Sequence, residues 1–199
     1  MSSNDFYRSV SYADCRVGSI ELFYLNNFKD KARGSFFFEA GAVNGFHLTQ
    51  TATLESLGWS GILVEAHQKL FKDLKNSERK AICTNHVLGD GRACLFEEKK
   101  SGLLGHSQIR NEPTNDDCVP CVTTKLEDVL KECQAPQVID YMVIDVELAW
   151  PLVLEGIDFE NREIDFLAVE MKGHDESVKE HWLDRIAEHG MKFVYALGR

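Results

Sequence analysis

Short apolar runs alternate along the chain with longer segments in which apolar residues recur every three or four positions. Runs of the first kind, such as residues 61–65 and 141–146, predict buried strands, whereas the second spacing predicts amphipathic helices. Further strands are predicted at residues 35–40, 80–85, 164–171 and 191–196, with shorter extended segments at 92–96 and 118–122. Helices are predicted at residues 19–31, 49–57, 68–76, 124–133, 149–155 and 177–189.

This alternation predicts an α/β fold, with right-handed crossovers and a mainly parallel, twisted sheet flanked by helices. Thr124 and Glu127 have the spacing of a capping box at the start of one helix. Pro151 fits the first turn of another, where its missing amide costs nothing. Residues 98–117 are polar and rich in turn formers, which predicts a long loop. Ligands in parallel sheets bind beyond the carboxyl ends of the strands.

Composition narrows the classes of function. The formal net charge is −10, which argues against a broad nucleic-acid surface, because phosphate binding requires clustered lysine and arginine. No apolar run approaches the ~20 residues of a membrane span. The first residues have no apolar signal-peptide core, so we expect a cytoplasmic protein. Of the six cysteines, only Cys118 and Cys121 have a ligand-like spacing. Because no second such pair exists, we expect no metal site.

Polar and glycine residues follow the predicted strands. They are Glu39, Gly41, Asn44 and Gly45 after the first strand, Glu65 after the second, and Asp90 in the polar segment after the third. Asp145 and Glu147 stand at the end of the strand predicted at 141–146. Glu170, Lys172 and His174 stand at the end of the strand predicted at 164–171. The glycines allow a ligand to approach the backbone, although an ordinary tight turn explains them equally well. Glu65 is placed to accept hydrogen bonds from ribose hydroxyls, the alternative being a solvated acid at a strand end.

Asp145 and Glu147 share a face in an extended segment, since side chains alternate with a period of two. Two close carboxylates repel, so that one can retain a proton near neutral pH. This arrangement suits a general base or a pair of metal ligands. The alternative is a helix start that carries acids, which the helix dipole favours. Lys172 is a candidate partner that neutralises Asp145.

Several segments in order resemble the FkbM-type family of S-adenosylmethionine-dependent methyltransferases. They are FFFEAGAVNG, GWSGILVEAH, IDYMVIDVE and FLAVEM. The resemblance implies a Rossmann-like methyltransferase fold, S-adenosylmethionine as cofactor, and methylation of a hydroxyl on a small molecule or sugar. It implies that Glu39, Gly41 and Gly45 face the methionine end of the cofactor, that Glu65 holds the ribose, and that Asp145 lies near the reactive methyl. Asn44 and Asp90 are further candidates for cofactor contacts, Asp90 because a polar group in the segment 85–90 could reach an adenine edge. Glu147 and Lys172 are candidate catalytic residues beside Asp145.

The same resemblance predicts a domain over residues 35–199, preceded by an N-terminal helical arm at 1–34. The family has one more strand after the segment at 191–196, which is absent here or supplied by another segment. Leu148 stands where the family has glycine, and Trp150 would form an aromatic wall for a planar substrate. These departures leave a binding module with impaired catalysis as an alternative. A further alternative is an RNA cap ribose 2'-O-methyltransferase that uses Asp145 and Lys172 with Lys29 or Lys31.

Overall fold

The computed structural model describes residues 9–12, 19–28, 30, 33–98, 107–112 and 118–197. The strands are β1 (Ser9–Tyr12), β2 (Phe36–Ala40), β3 (Ser60–Val64), β4 (Ile82–Thr84), β5 (Ala93–Glu97), β6 (Gln108–Arg110), β7 (Cys118–Val122), β8 (Val138–Ile139), β9 (Tyr141–Ile144), β10 (Glu163–Ile164), β11 (Leu167–Glu170) and β12 (Phe193–Leu197). The helices are α1 (Ser19–Asn27), α2 (Ala52–Ser56), α3 (Gln68–Lys75), α4 (Leu126–Glu132), α5 (Trp150–Glu155) and α6 (Glu176–Glu188). A short 3-10 turn, Glu147–Ala149, precedes α5.

Seven strands form the main sheet in the order β12-β1-β11-β9-β2-β3-β4. Every pairing between neighbours in this sheet is parallel. β2 lies between β9 and β3, with Phe38 opposite both Met142 and Ile62. The predicted α/β class with a parallel sheet and flanking helices is therefore confirmed.

The two faces of the sheet bury alternate residues of each strand. Phe36, Phe38 and Ala40 of β2 enter the core that α4, α5 and α6 cover, whereas Phe37 enters the core that α1, α2 and α3 cover. The same alternation holds along β3, β9 and β11. Strands buried on both faces are nearly continuous in apolar residues, which explains why the pattern of the sequence identified them.

The N-terminal segment takes part in this sheet. β1 pairs in parallel with β11 on one side and with β12 on the other. α1 contributes Ile20, Tyr24 and Phe28 to the second core. A segment from the start of the chain thus lies between the last two strands. No helix among the described residues is long and apolar enough to cross a membrane.

A second, antiparallel sheet has the order β6-β5-β7. The prediction of one long loop over residues 98–117 is wrong at Gln108–Arg110, which forms β6. The reason is tertiary, because Arg110 pairs at 2.8 Å with the buried carboxylate of Glu97 on β5. Residues 99–106 and 113–117 lie outside the described part of the chain.

Two predicted helix starts are also wrong. α4 begins after Lys125, without a side-chain cap, and Glu127 does not complete a capping box. Its carboxylate instead accepts a hydrogen bond of 2.6 Å from the Arg162 guanidinium. α2 begins at Ala52 rather than at residue 49, because the preceding residues are held by a buried carboxylate described below.

Gly61 provides a test of packing between β3 and β2. A Cβ atom at this position would lie 2.3 Å from the Phe37 ring, which is itself fully buried. We therefore expect Gly61→Ala to lower the free energy of unfolding by about 1–3 kcal/mol through overpacking. Urea denaturation followed by circular dichroism measures this. Ser60→Ala, at an exposed position of the same strand, is the control and should change stability by less than about 0.5 kcal/mol.

Candidate functional site at the carboxyl edge of the sheet

The carboxyl ends of β11, β9, β2 and β3 lie side by side in the sheet. The segments that follow these strands carry most of the polar residues that the sequence pattern indicates as candidates for a site. Glu170 is the last residue of β11, Asp145 follows β9, the Gly41 turn follows β2, and Glu65 follows β3. One edge of a parallel sheet thus collects them, as the topology requires.

Gly41 has a positive φ of 85°, and a Cβ atom there would lie 1.9 Å from the carbonyl oxygen of Asp145. The Asp145 amide in turn donates to the Ala40 carbonyl at 3.0 Å. The group that approaches the Gly41 backbone closely is therefore the Asp145 carbonyl of the protein itself. Gly45 also has a positive φ, and a Cβ atom there would meet Leu74 at 2.8 Å. Both glycines have a structural reason, independent of any ligand.

The Glu65 side chain stabilises the same turn through hydrogen bonds. Its two carboxylate oxygens accept hydrogen bonds from the amides of Val43 and His67, each at 2.8 Å. Burial raises the pKa of Glu65 to about 7, and the charge of Asp145 adds to this effect, whereas backbone hydrogen bonds oppose it. The Ala66 amide supplies a further backbone hydrogen bond, and a carboxylate still has acceptor capacity beyond these three for a ligand hydroxyl.

Glu39 lies beneath the turn rather than beside it. Its buried carboxylate accepts hydrogen bonds from the Gln50 amide at 2.9 Å, from the Thr49 hydroxyl at 3.0 Å, and from the Thr51 hydroxyl. Burial raises the pKa of Glu39, and these hydrogen bonds oppose the rise. The residue expected at the methionine end of a cofactor therefore anchors the segment before α2.

Arg79 is a residue that sequence reasoning missed. Its guanidinium, almost fully buried, pairs with Glu55 at 2.7 Å and donates to the Gly45 carbonyl and the Thr49 hydroxyl. The hydrogen bond to the Gly45 carbonyl stabilises the turn at that residue. Arg79 stands in a polar run between α3 and β4, so no periodic signal marks it.

Asn44 and Asp90 make local contacts. The Asn44 side-chain oxygen accepts from the amides of Phe46 and His47, at 3.1 and 2.8 Å, and closes the turn. Asp90 pairs with Arg92, whose hydrogen bond lowers the pKa of Asp90. The residue of this segment that reaches the end of β3 is Asn85, which donates to the Glu65 carbonyl at 2.7 Å.

A cavity of about 250 Å³ opens beside the ends of β3 and β4. Ala66, Asn85 and His86 form one side of it, and Phe96 and Thr124 are among the residues on the other. The small antiparallel sheet thus forms a wall of this cavity. Asp90 does not line it, so among the residues after β4 the segment that starts at Asn85 is the better candidate for a ligand contact.

Asp145 and Glu170 form a carboxyl pair at the centre of the edge. Burial raises the pKa of Glu170 to about 8, and the charge of Asp145 and a hydrogen bond between the two side chains add to this. Near neutral pH the protonated Glu170 therefore donates to the Asp145 carboxylate. The other Glu170 oxygen, Oε2, is buried without a hydrogen-bond partner among the described residues.

Lys172 pairs with Glu147, at 3.0 Å, rather than directly with Asp145. Burial opposes the charged lysine, but the hydrogen bond and charge of Glu147 outweigh it and raise the pKa of Lys172. Lys172 is therefore an ammonium ion at neutral pH. Glu147 has a positive φ of 55°, an unusual conformation for a residue with a side chain.

The segment after Glu147 folds over the same edge. Trp150 is fully buried in the core and donates from its indole to the Lys172 carbonyl at 3.3 Å, so the expectation of an aromatic wall is wrong. Leu148 is 36% exposed. Its side chain lies against Gly173, where a Cβ atom would meet it at 2.1 Å. His174 contacts the Leu148 carbonyl through Nε2 at 2.8 Å.

Within the described residues, no group of three or more histidine, cysteine, aspartate or glutamate side chains is placed to hold a metal ion. Comparison with protein-family models, with curated proteins and with solved structures gives no match to this chain. The assignment of function therefore depends on the geometry of the carboxyl edge.

Replacing Glu170 by glutamine tests the carboxyl pair. The amide can donate to Asp145 as the protonated acid does, but it does not titrate. The pKa of Glu170 in the folded protein lies above that of an unfolded glutamate. At pH values between these two pKa values, the native state therefore binds a proton that the unfolded state has lost. The wild type therefore loses stability as pH rises through this window, by at most about 1.4 kcal/mol per pH unit for one group.

We expect Glu170→Gln to reduce this loss, so that the variant gains stability relative to the wild type up to about pH 8. Urea unfolding at a series of pH values measures the slopes. Glu176→Gln, an exposed acid on α6, is the matched control and should follow the wild type. Parallel slopes for Glu170→Gln and the wild type would contradict the shared proton.

Proposed function

We propose that this chain is an S-adenosylmethionine-dependent methyltransferase that methylates a hydroxyl on a small molecule or sugar. The proposal is carried by one observation, the convergence of the Gly41 turn, Glu65 and Asp145 at the carboxyl edge of neighbouring parallel strands. The order of these residues along the chain is also that of the family which the sequence resembles. A Rossmann-like methyltransferase fold is compatible with this sheet.

The residues at the edge fit such a cofactor. Glu65 has acceptor capacity left for ribose hydroxyls, and the cavity that begins at Ala66 offers space beside it. Asn85 and His86 line this cavity, but their polar atoms bond within the protein. The Asn85 amide contacts Gln68 and the carbonyls of Glu65 and Ala66, and the His86 ring contacts Thr124 and Glu132. Asp145, at the end of β9, would lie toward the sulfonium. S-adenosylmethionine, when bound, supplies an electrophilic methyl group.

The residues of the chain would then position the acceptor and take its proton. Asp145 is the proposed general base, since it lies at the partly exposed edge and accepts a hydrogen bond from Glu170. Glu170, protonated near neutral pH, stabilises the Asp145 carboxylate without adding a second negative charge. Lys172 and Glu147 neutralise each other beside this pair. Most of the rate enhancement in such a transfer comes from positioning the two reactants.

The ribose methyltransferase alternative requires a lysine base, and such a base needs a lowered pKa. The raised pKa of Lys172 therefore weighs against it. Lys29 and Lys31 lie outside the described residues.

A binding module with impaired catalysis is the second candidate. It is favoured by Leu148, which stands at the position where the resembled family has glycine. The Leu148 side chain lies against Gly173 at the carboxyl edge of the sheet.

Cofactor binding tests the first proposal. We expect S-adenosylhomocysteine to bind the wild type with a Kd in the micromolar range by calorimetry, and to raise its Tm. Glu65→Gln should weaken binding by about tenfold or more, equivalent to ~1.4 kcal/mol, because one acceptor oxygen becomes a donor. Glu176→Gln is the control and should bind as the wild type does. No heat and no Tm shift at about 1 mM ligand would contradict the proposal.

Leu148→Gly separates the two candidates. If the Leu148 side chain obstructs the acceptor side, its removal should raise methyl transfer to a hydroxyl library by several fold, while cofactor affinity changes little. Leu57→Gly removes another exposed leucine, next to α2, and serves as the control. If the wild type is active and Leu148→Gly has the same activity, Leu148 does not obstruct the acceptor side. If both proteins are inactive, the result favours the binding module.

A further inference from the structure

Two thiols face each other across the small antiparallel sheet. Cys94 on β5 is directly opposite Cys121 on β7 in the register of the two strands. Their Sγ atoms are 3.2 Å apart, and both cysteines are free. Both side chains are half-buried, so small reagents can reach them. None of the proposed methyltransferase chemistry uses this pair.

We propose that Cys94 and Cys121 are a redox modification site, oxidised reversibly to an intramolecular cross-strand disulfide by a low-molecular-weight disulfide such as oxidised glutathione. The inference rests on the geometry of β5 and β7 and is independent of the proposed function.

The strand register places the two side chains for this bond. Residues directly opposite in an antiparallel pair have Cα atoms about 4.5–5.5 Å apart, within the range that disulfides span. An S–S bond of about 2.05 Å requires the sulfur atoms to approach by little more than 1 Å from their present separation. Rotation about the side-chain bonds suffices for a movement of this size, so the strands need not separate.

The chemistry proceeds by thiol–disulfide exchange. A thiolate of the pair attacks the oxidised disulfide, forms a mixed disulfide and releases one thiol of the reagent. The second cysteine then attacks the mixed disulfide, releases the second thiol, and completes the bond between Cys94 and Cys121. The protein loses two electrons and two protons, and the reagent is reduced to two thiols.

The step in which Cys94 attacks should be slow at neutral pH and faster in alkali. Burial raises the pKa of Cys94 to about 12, and the hydrogen bond with Cys121 adds to this. The thiolate is the reacting species, so the scarcity of the Cys94 thiolate limits the step in which Cys94 attacks.

Oxidation would fix one wall of the cavity. Cys121 lines the cavity, as do Phe96 on β5 and Val119 on β7. A covalent link between the two strands restricts their relative movement and so the shape of this wall. The link therefore provides a route by which the redox state alters whatever binds beside Ala66 and Asn85.

The test uses the full chain and oxidised glutathione. After incubation, remaining thiols are alkylated under denaturing conditions, and the protein is examined by intact mass and peptide mapping. We expect the wild type to lose two hydrogens, to yield a peptide linked through Cys94 and Cys121, and to regain both thiols with dithiothreitol. In Cys94→Ser the second step is impossible, so the glutathione adduct at Cys121 should increase by about tenfold or more over the wild type.

Cys133→Ser is the matched control, since Cys133 is another half-buried free thiol, at the end of α4. It should form the link as the wild type does. Hydrogen exchange of the wild type gives a second measurement, in which oxidation slows exchange in β5 and β7 and leaves β2 and β3 unchanged. The proposal is overturned if Cys121 links to Cys118 instead, if the wild type still carries the glutathione adduct and no link at the end of a long incubation, or if both thiols remain as open to alkylation as Cys133.

Discussion

The contact between Gly41 and the carbonyl oxygen of Asp145 determines how the carboxyl edge of the sheet is arranged. β2 and β9 are neighbours, and the chain that leaves β2 must turn directly over the end of β9. Only a residue without a Cβ atom fits there, and the positive φ favours glycine as well. Once the turn is made, the Val43 amide points at Glu65, which holds it with one carboxylate oxygen. The position of Asp145, the orientation of the turn and the burial of Glu65 therefore depend on one close backbone contact.

Acidic groups accumulate at this edge, and the protein tolerates them by retaining protons and by pairing charges. Glu65 and Glu170 are buried, and their raised pKa values keep them wholly or partly protonated near neutral pH. Glu147 is neutralised by Lys172. Beneath the edge, Glu39 is surrounded by hydrogen-bond donors, and Arg79 lies near it. A buried carboxylate without such partners would cost several kcal/mol, so the location of each charge is closely constrained by its neighbours.

Much of the fold followed from the sequence, since strands such as β3 and β9 are buried on both faces and their apolar runs are nearly continuous. The errors concern residues whose partners are distant in sequence. Thr124 and Glu127 have the spacing of a capping box, yet Glu127 binds Arg162. Trp150 follows two acids of the candidate site, yet its ring enters the core because α5 turns that face toward the sheet. Glu39 belongs to the glycine-rich motif but points into the protein, opposite to Phe38 and Ala40, which occupy the other face of β2.

The sequence by itself identified the described helices and every strand of the main sheet except β1. It also determined that this sheet is mainly parallel and that Gly41, Glu65 and Asp145 stand at strand ends. These properties depend on the local period of apolar residues and on connections between consecutive elements. The tertiary structure alone decided that Lys172 pairs with Glu147, that Asp145 shares a proton with Glu170, and that Cys94 faces Cys121. Such pairs form between elements far apart in the chain, and a distance of one or two ångströms selects one partner over another. Local patterns do not encode distances on that scale, because the packing of the whole sheet determines them.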